Sequence, residues 1–283
     1  MPGINFDRAA SFYDATRALP DGVADRVGEA ILRCVGAERD TRFLEVGIGT
    51  GRIAFPLIVA GYAYHGIDLS ASMLGMLRQK LAAHPERRAR TGLALADAMS
   101  LPFRARTVDV VLMIHLLHLV DDHRRALDEA RRVLRPGGRI IVSANEFAER
   151  NRRDEAAGRV ATGRRAVTNR WNAILAELGV DRTTPTGGRW LVDEAIPLAL
   201  AAIGASVERV VLARYRERPQ TARERAAAHR DRTFSSDWDI PDEVHAEASR
   251  RLLRWLETEH PAPDLPSSEE AEVAVFVGTL PRR

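Results

Sequence analysis

The chain has 283 residues, of which 45% are hydrophobic and 29% charged, and its formal net charge is +3. This length allows one large domain or two small ones, with enough apolar residues for a buried core. An intrinsically disordered chain and a disulfide-bonded scaffold are excluded, because Cys34 is the only cysteine.

Neither the start of the chain nor its most apolar stretch predicts a membrane protein. Residues 1–8 lack the basic-then-apolar pattern of a signal peptide. Residues 108–120 contain Asp109 and two histidines, and they fall short of the ~20 residues that cross a bilayer. Together with the lone cysteine, these features favour a cytoplasmic protein.

The predicted elements alternate regularly through the first half of the chain. Residues 5–36 are predicted to form two helices, the second of them capped by Asp21. Five apolar strands and three amphipathic helices then follow one another: strands at 42–47, 63–68, 92–97, 108–114 and 139–144, and helices at 53–60, 72–83 and 122–134. This order predicts right-handed crossovers and a parallel sheet with helices on both faces.

The alternation is interrupted after residue 144. A polar, arginine-rich stretch at 146–190 and a helical stretch at 220–260 separate two further strands, at 206–215 and 272–280. Because the last strand returns after these stretches, both are predicted as additions to one domain that covers 1–283. In this interpretation 1–36 is a helical cap, 37–145 is the cofactor-binding core, and the additions lie on the substrate side and include a lid.

The first strand ends in a glycine-rich loop, Gly47-Ile48-Gly49-Thr50-Gly51. Glycines allow a sharp turn and the close approach of a ligand, and parallel sheets bind ligands at the carboxyl ends of their strands. The second strand ends at Asp68, 17 residues after Gly51, where a carboxylate can accept hydrogen bonds from a ribose diol. The pair predicts a cofactor that contains a nucleoside.

The spacing of the loop argues against two common nucleotide sites. A dinucleotide fingerprint requires a third glycine where this chain has Arg52, and a phosphate-binding P-loop requires a Gly-Lys-Ser/Thr sequence that does not occur. The acid Glu45, two residues before the loop, suits a cofactor with an ammonium or sulfonium group better than a pyrophosphate.

Five segments, taken in order, resemble the motifs of class I S-adenosylmethionine-dependent methyltransferases: residues 43–55, 66–74, 96–103, 109–120 and 133–139. The sequence is most similar to the branch of the ubiquinone/menaquinone biosynthesis methyltransferases, which Phe12-Tyr13-Asp14 also fits. The resemblance implies a Rossmann-like, seven-stranded, mostly parallel sheet whose last strand is antiparallel. It further implies S-adenosylmethionine as methyl donor, S-adenosylhomocysteine as product, and a small-molecule acceptor with an O, N or C nucleophile.

The resemblance also implies roles for single positions around the methyl donor. Gly47, Gly49 and Gly51 would wrap its methionine part, with Glu45 near the amino group. Asp68 would hold the ribose hydroxyls and Leu69 would lie against adenine. Asp97 and the backbone of Ala98 would contact the adenine amino group. At the edge of the site, Ile114 and His115 would lie at the end of the fourth strand, and Tyr13 would close over the cofactor.

Methyl transfer requires in-line positioning and exclusion of water, and it requires a base only when the nucleophile arrives protonated. His115 and Tyr13 are the predicted catalytic residues, although a purely structural role for His115 stays open. His118 is interpreted as structural. No metal site is predicted, since Asp121 and Asp122 are better explained as helix caps.

The acceptor pocket is predicted from aromatic residues of the additions. Phe234 and Trp238 flank turn-forming residues and, with His115, are the predicted substrate-binding residues. Arginines between 150 and 170 are interpreted chiefly as a solvated face. Nucleic acid is therefore an unlikely partner.

Two alternatives stay open at the level of sequence. The first is an RNA or protein methyltransferase, which would require salt-dependent nucleic-acid binding or a peptide groove. The second is a protein that binds S-adenosylmethionine without methylating, since a fold does not determine a function.

Overall fold

The computed structural model describes residues 5–88, 90–143, 163–180 and 195–282. The chain divides into two compact units: the first comprises 1–146, 186–215 and 272–283, and the second comprises 147–185 and 216–271. The segments predicted as additions, 146–190 and 220–260, fall largely in the second unit. Their substrate-side role and their place within a single domain stay predictions.

The described residues form a seven-stranded sheet with the order β3-β2-β1-β4-β5-β7-β6. The strands are β1 Arg42–Val46, β2 Ala63–Asp68, β3 Thr91–Leu95, β4 Val108–Met113, β5 Leu134–Ser143, β6 Ser206–Arg216 and β7 Glu270–Thr279. Strands β1 to β5 pair in parallel, and β7 pairs antiparallel with β5. The predicted mostly parallel sheet with an antiparallel last strand is confirmed.

Helices connect these strands in the predicted order. They are α1 Ala10–Arg17, α2 Val23–Cys34, α3 Ala54–Val59, α4 Ala71–Ala82, α5 Pro85–Arg88, α6 His123–Val133, α7 Gly163–Glu177, α8 Ala195–Ala202, α9 Ala222–Arg230 and α10 Asp242–Thr258, with 3-10 turns at Asp7–Ala9 and Ser235–Asp237. Among the described residues, no helix combines the length and the apolar character needed to cross a membrane.

Of the predicted helix caps, Asp122 is confirmed and Asp21 is wrong, while Ser70 is a cap that the structure adds. The side chain of Ser70 accepts a hydrogen bond from the Met73 N–H at the start of α4, and Asp122 accepts one from the Arg125 N–H at the start of α6. Asp21 does not occupy the N-cap position of α2, because Gly22 stands there at φ +71°. There the glycine ends the preceding turn.

Strand β5 begins earlier than the sequence predicts. The Arg-Pro-Gly-Gly stretch at 135–138 is predicted as a turn, but Leu134 already pairs with Val108. The register then shifts, so that Val110 pairs with Arg139. An irregularity of this kind places extra residues on one strand while pairing continues on both sides, which accommodates the proline and glycines.

Apolar side chains cover both faces of the sheet, as the continuous apolar strands predict. One face buries Leu44, Val46 and Ile67, and the other buries Phe43 and Tyr64. Strand β1 lies between β2 and β4, which brings the carboxyl ends of the three strands to one edge. In the second unit, α7, α9 and α10 pack around a separate core that includes Trp171 and Leu252.

Candidate cofactor site

The loop after β1 turns back over the end of β2. The N–H groups of Gly47 and Ile48 both donate to the carbonyl oxygen of Ile67, at 2.8 and 3.0 Å. Gly47, Gly49 and Gly51 have φ values of +75°, +55° and +81°, which residues with a Cβ adopt only with strain. The glycines therefore fix the loop conformation that its position at the sheet edge requires.

Asp68 joins this loop to the start of α4. Its Oδ2 accepts a hydrogen bond from the Gly49 N–H and its Oδ1 accepts one from the Ser70 N–H, both at 2.8 Å. Burial raises the pKa of Asp68, while the backbone hydrogen bonds act in the opposite direction. The carboxyl group is thus held at the carboxyl end of β2 with a defined orientation.

A cavity that opens to solvent lies at this edge of the sheet. Nearly all of the residues predicted to bind the methyl donor line it together: Tyr13, Gly47, Gly49, Asp68, Leu69, Asp97, Ala98 and Ile114. His115 lines it as well.

Glu45 and Gly51 do not line the cavity. Glu45 is buried beneath the loop, where its Oε2 accepts a hydrogen bond of 2.7 Å from the Tyr64 hydroxyl. Burial raises the pKa of Glu45 to about 8 and also raises that of Tyr64. At Gly51 a Cβ would lie 2.6 Å from Leu77 Cδ1, so this glycine permits packing of the loop on α4. Direct cofactor contacts of both residues stay predictions.

His115 follows β4 with an unusual backbone conformation. Its φ is +53°, and its N–H donates to the Ser143 hydroxyl at 2.7 Å. The imidazole keeps exposed surface toward the cavity. Desolvation by the surrounding protein lowers the pKa of His115 well below its usual value, and the charges of Arg52 and Arg17 act in the same direction. These effects favour the neutral form of the ring and make it a weaker base than an ordinary histidine.

His118 lies three residues further along the chain. Desolvation lowers its pKa to about 4. It does not line the cavity. Among the described residues, no group of three or more His, Cys, Asp or Glu side chains is arranged to hold a metal ion.

Phe234 and Trp238 belong to the second unit. The Phe234 ring is buried, with its centroid 4.8 Å from that of His229 and 4.1 Å from the Arg225 guanidinium carbon. The Trp238 Nε1–H donates to the Arg232 carbonyl oxygen at 2.8 Å. Both rings therefore have partners within their own unit, and their role in binding an acceptor stays a prediction.

The arginine-rich stretch lies partly outside the described residues. Arg150, Arg152, Arg153 and Arg159, together with most of the predicted lid, fall there. Three arginines that are described form ion pairs within the second unit: Arg164 with Glu217, Arg165 with Glu269 at 2.8 Å, and Arg170 with Glu177 at 3.0 Å.

Several residues of the cavity wall were not predicted as site residues, although all of them except Phe6 lie within the motif segments. They are Phe6, Val46, Ile67, Met73, Ala96, Met99, Leu116, Leu119 and Val120. Apolar residues carry no chemical signal that separates a cavity wall from a core. Leu116, Leu119 and Val120 could have been found from their place just after a strand that ends at a candidate site.

Comparison with known proteins agrees with this geometry. Residues 44–142 match the family model described as "Methyltransferase domain". The chain is 35% identical over 138 residues to a demethylmenaquinone methyltransferase of Clavibacter sepedonicus, which covers 48% of this chain and 55% of the relative. The chain thus spans about half the length of that relative.

Another relative is matched over most of its length. A phosphatidylethanolamine N-methyltransferase of Cereibacter sphaeroides is 34% identical over 173 residues, which covers 59% of this chain and 80% of that protein. Among solved structures, the YcgJ protein of Bacillus subtilis aligns with a TM-score of 0.56 at 14% identity, over 90% of this chain and 98% of that one, a likeness of fold. The chain belongs to the class I S-adenosylmethionine-dependent methyltransferases.

Proposed function

We propose that this protein transfers a methyl group from S-adenosylmethionine to a small-molecule acceptor. One observation carries the proposal: a single cavity is bordered by the glycine loop, by the carboxylates of Asp68 and Asp97, and by the basic side chain of His115. Binding groups for a nucleoside and a candidate proton acceptor thus face the same space.

The residues present fit the adenosine part of the methyl donor. The Asp68 carboxylate accepts the Gly49 and Ser70 N–H groups and retains acceptor capacity toward the ribose hydroxyls. Asp97 accepts a hydrogen bond from the Met99 N–H at 2.8 Å and retains acceptor capacity for an amino group. Leu69, Met73 and Met99 supply apolar surface for a flat ring.

The glycine loop fits the remainder of the molecule. A Cβ built on Gly49 would meet no atom within 4 Å, so the backbone here borders open space in which a ligand can lie. Burial keeps Glu45 protonated at neutral pH and hydrogen-bonded to Tyr64, so its support of the loop is indirect in this arrangement.

When bound, S-adenosylmethionine supplies a methyl group activated by a positively charged sulfur. The protein must then hold a nucleophile in line with that methyl and exclude water, and positioning alone lowers barriers substantially. In its neutral form the His115 imidazole can take a proton from the molecule that receives the methyl group. Tyr13 contributes to the same wall of the cavity. These two residues are the proposed catalytic residues.

The names of two relatives support a small-molecule acceptor, because they refer to demethylmenaquinone and to phosphatidylethanolamine. An acceptor with an O, N or C nucleophile is consistent with these names. We further propose Phe234 and Trp238 as acceptor-binding residues.

Calorimetric titration with S-adenosylmethionine and S-adenosylhomocysteine, with NAD as a control ligand, tests the donor site. We expect micromolar binding of the first two and none of NAD. Asp68→Ala should weaken binding by about 100-fold, because it removes two hydrogen bonds to a charged group. Asp128→Ala is a matched control, since it removes an exposed carboxylate from α6, and it should bind as the wild type does.

Acceptor screening follows for the wild-type protein, with phenols, quinol precursors and small amines as probes and S-adenosylhomocysteine formation as the readout. Absence of donor binding, or binding that Asp68→Ala leaves unchanged, would contradict the proposed site. Donor binding without turnover of any probe would instead favour a binding protein that does not methylate.

A further inference from the structure

The N-terminal segment, residues 5–17, forms one wall of the cavity. It consists of the 3-10 turn Asp7–Ala9 and helix α1. Phe6 and Tyr13 line the cavity, and their rings meet edge to face with centroids 6.2 Å apart. The position of this segment therefore decides how the cavity is closed.

The beginning of the segment is tied to the end of β2. The Asp7 carboxylate accepts hydrogen bonds from the Ser70 hydroxyl at 2.6 Å and from the Ser72 N–H at 3.0 Å. The Asn5 amide donates to the Leu69 carbonyl oxygen at 3.2 Å. Since Leu69 and Asp68 line the cavity, this tie links the segment to the predicted adenosine side of the site.

The end of the segment is tied to the glycine loop through an ion pair. Asp14 Oδ2 lies 2.7 Å from Lys80 Nζ, and Asp14 Oδ1 accepts a hydrogen bond of 2.6 Å from the Thr50 hydroxyl. Lys80 Nζ also donates to the Thr50 carbonyl oxygen at 2.9 Å. Arg52 adds a bond of 3.1 Å from Nη1 to the Arg17 carbonyl oxygen.

Lys80 is the centre of this second tie and the only lysine of the chain. It projects from α4 and contacts the segment and the loop at once. Thr50 stands between Gly49 and Gly51, so its carbonyl orientation and the conformation of both glycines are coupled. The side chains of Lys80 and Asp14 are about one third exposed, at 32% and 37%, which makes the pair accessible to salt.

We propose that Lys80, although outside the cavity, is a positioning residue for the methyl donor, because it joins Asp14 of the N-terminal segment to Thr50 of the glycine loop and so holds the cavity closed. This inference rests on the proposed function. The chemistry requires a cation of lysine length that reaches a carboxylate and a carbonyl oxygen together.

Dissociation of S-adenosylhomocysteine, followed by stopped flow after displacement with excess S-adenosylmethionine, tests the inference. Lys80→Gln should accelerate dissociation by about tenfold, the size expected for loss of a charge-assisted hydrogen bond. Lys80→Arg keeps the charge and should restore part of the slow dissociation. Arg78→Gln, which removes an exposed charge from the same helix, should leave the rate unchanged.

Salt dependence separates the proposed role from a general loss of structure. Raising NaCl from about 20 mM to about 500 mM should accelerate dissociation from the wild type and from Arg78→Gln, because salt screens exposed ion pairs. In Lys80→Gln the dissociation rate should no longer respond. Equal rates and equal salt responses in Lys80→Gln and wild type would overturn the inference while leaving the donor site established.

The unique lysine permits a second measurement on the unaltered chain. Succinimidyl acetate should label Lys80 more slowly when S-adenosylhomocysteine is bound, because closure keeps the ammonium paired. Peptide mass spectrometry reads the labelling, with the α-amino group as internal reference. A labelling rate that S-adenosylhomocysteine leaves unchanged would overturn the inference, even if Lys80→Gln failed to fold. A wild-type protein that binds no methyl donor would overturn the proposed function as well.

Discussion

Gly49 and Gly51 stand two positions apart in the loop, both at positive φ, but their surroundings differ. A Cβ on Gly51 would overlap Leu77, which is fully buried and has little room to move. A Cβ on Gly49 would enter open space within the cavity. We therefore expect Gly49 to serve ligand binding, whereas Gly51 serves the packing of the loop on α4.

Alanine substitutions should separate these two roles. Gly51→Ala should reduce the free energy of unfolding by about 2 kcal/mol or more, because backbone strain adds to steric overlap. Gly49→Ala should cost only the strain, about 1 kcal/mol, but should weaken S-adenosylhomocysteine binding more than Gly51→Ala does. Urea unfolding and calorimetry of both variants provide the measurement, and the reverse order of effects would contradict the assignment.

At the scale of elements, a buried acid links two neighbouring strands. Glu45 of β1 and Tyr64 of β2 share a hydrogen bond below the glycine loop. Burial raises the pKa of Glu45 to about 8, above its ordinary value of 4.5. The folded protein therefore binds one proton more than the unfolded chain between these two pH values, and stability decreases as pH rises through this window.

Glu45→Gln should remove this dependence. The free energy of unfolding of the wild type minus that of the variant should fall as pH rises from 5 to 8. The slope should approach about 1.4 kcal/mol per pH unit, and the difference should become constant above pH 8. Urea unfolding of both proteins across this range gives the difference. A difference independent of pH would mean that Glu45 ionises normally in the folded protein.

At the scale of the whole molecule, the two units differ in what they bury. The described residues that line the cavity all belong to the first unit. The core of the second unit holds Asp237, which accepts a hydrogen bond of 3.0 Å from Trp171 Nε1 and lies 2.8 Å from His229 Nδ1. All three side chains are buried, so the carboxylate satisfies polar groups that water cannot reach.

Asp237→Ala should therefore affect stability and not donor binding. Leaving two buried polar groups without a partner should cost about 3 kcal/mol, visible in thermal or urea unfolding. The dissociation constant of S-adenosylhomocysteine should stay within about twofold of the wild type, since Asp237 is not among the residues that line the cavity. A large loss of donor affinity in the folded variant would indicate that the second unit supports the donor site.

The sequence by itself determined the architecture of the sheet and most of the candidate site. Strands β1 to β4 follow from their continuous apolar character, Gly47, Gly49 and Asp68 follow from their spacing at strand ends, and Asp97 follows from the resemblance to the methyltransferase motifs. Local chemistry suffices here, because the parallel arrangement brings the ends of neighbouring strands to one edge. The cap Asp122 was predictable for the same reason, since it acts within one helical turn.

Only the tertiary structure decided contacts between residues far apart in the chain. It placed Glu45 against Tyr64 instead of in the cavity wall, brought Phe6 into that wall, and joined Lys80 to Asp14 and Thr50. No local pattern encodes such contacts, because they depend on which faces of separate elements meet. Hydrophobic periodicity predicts the type of each element, and motif spacing predicts where the strands end. The packing of separate elements decides which side chains become partners.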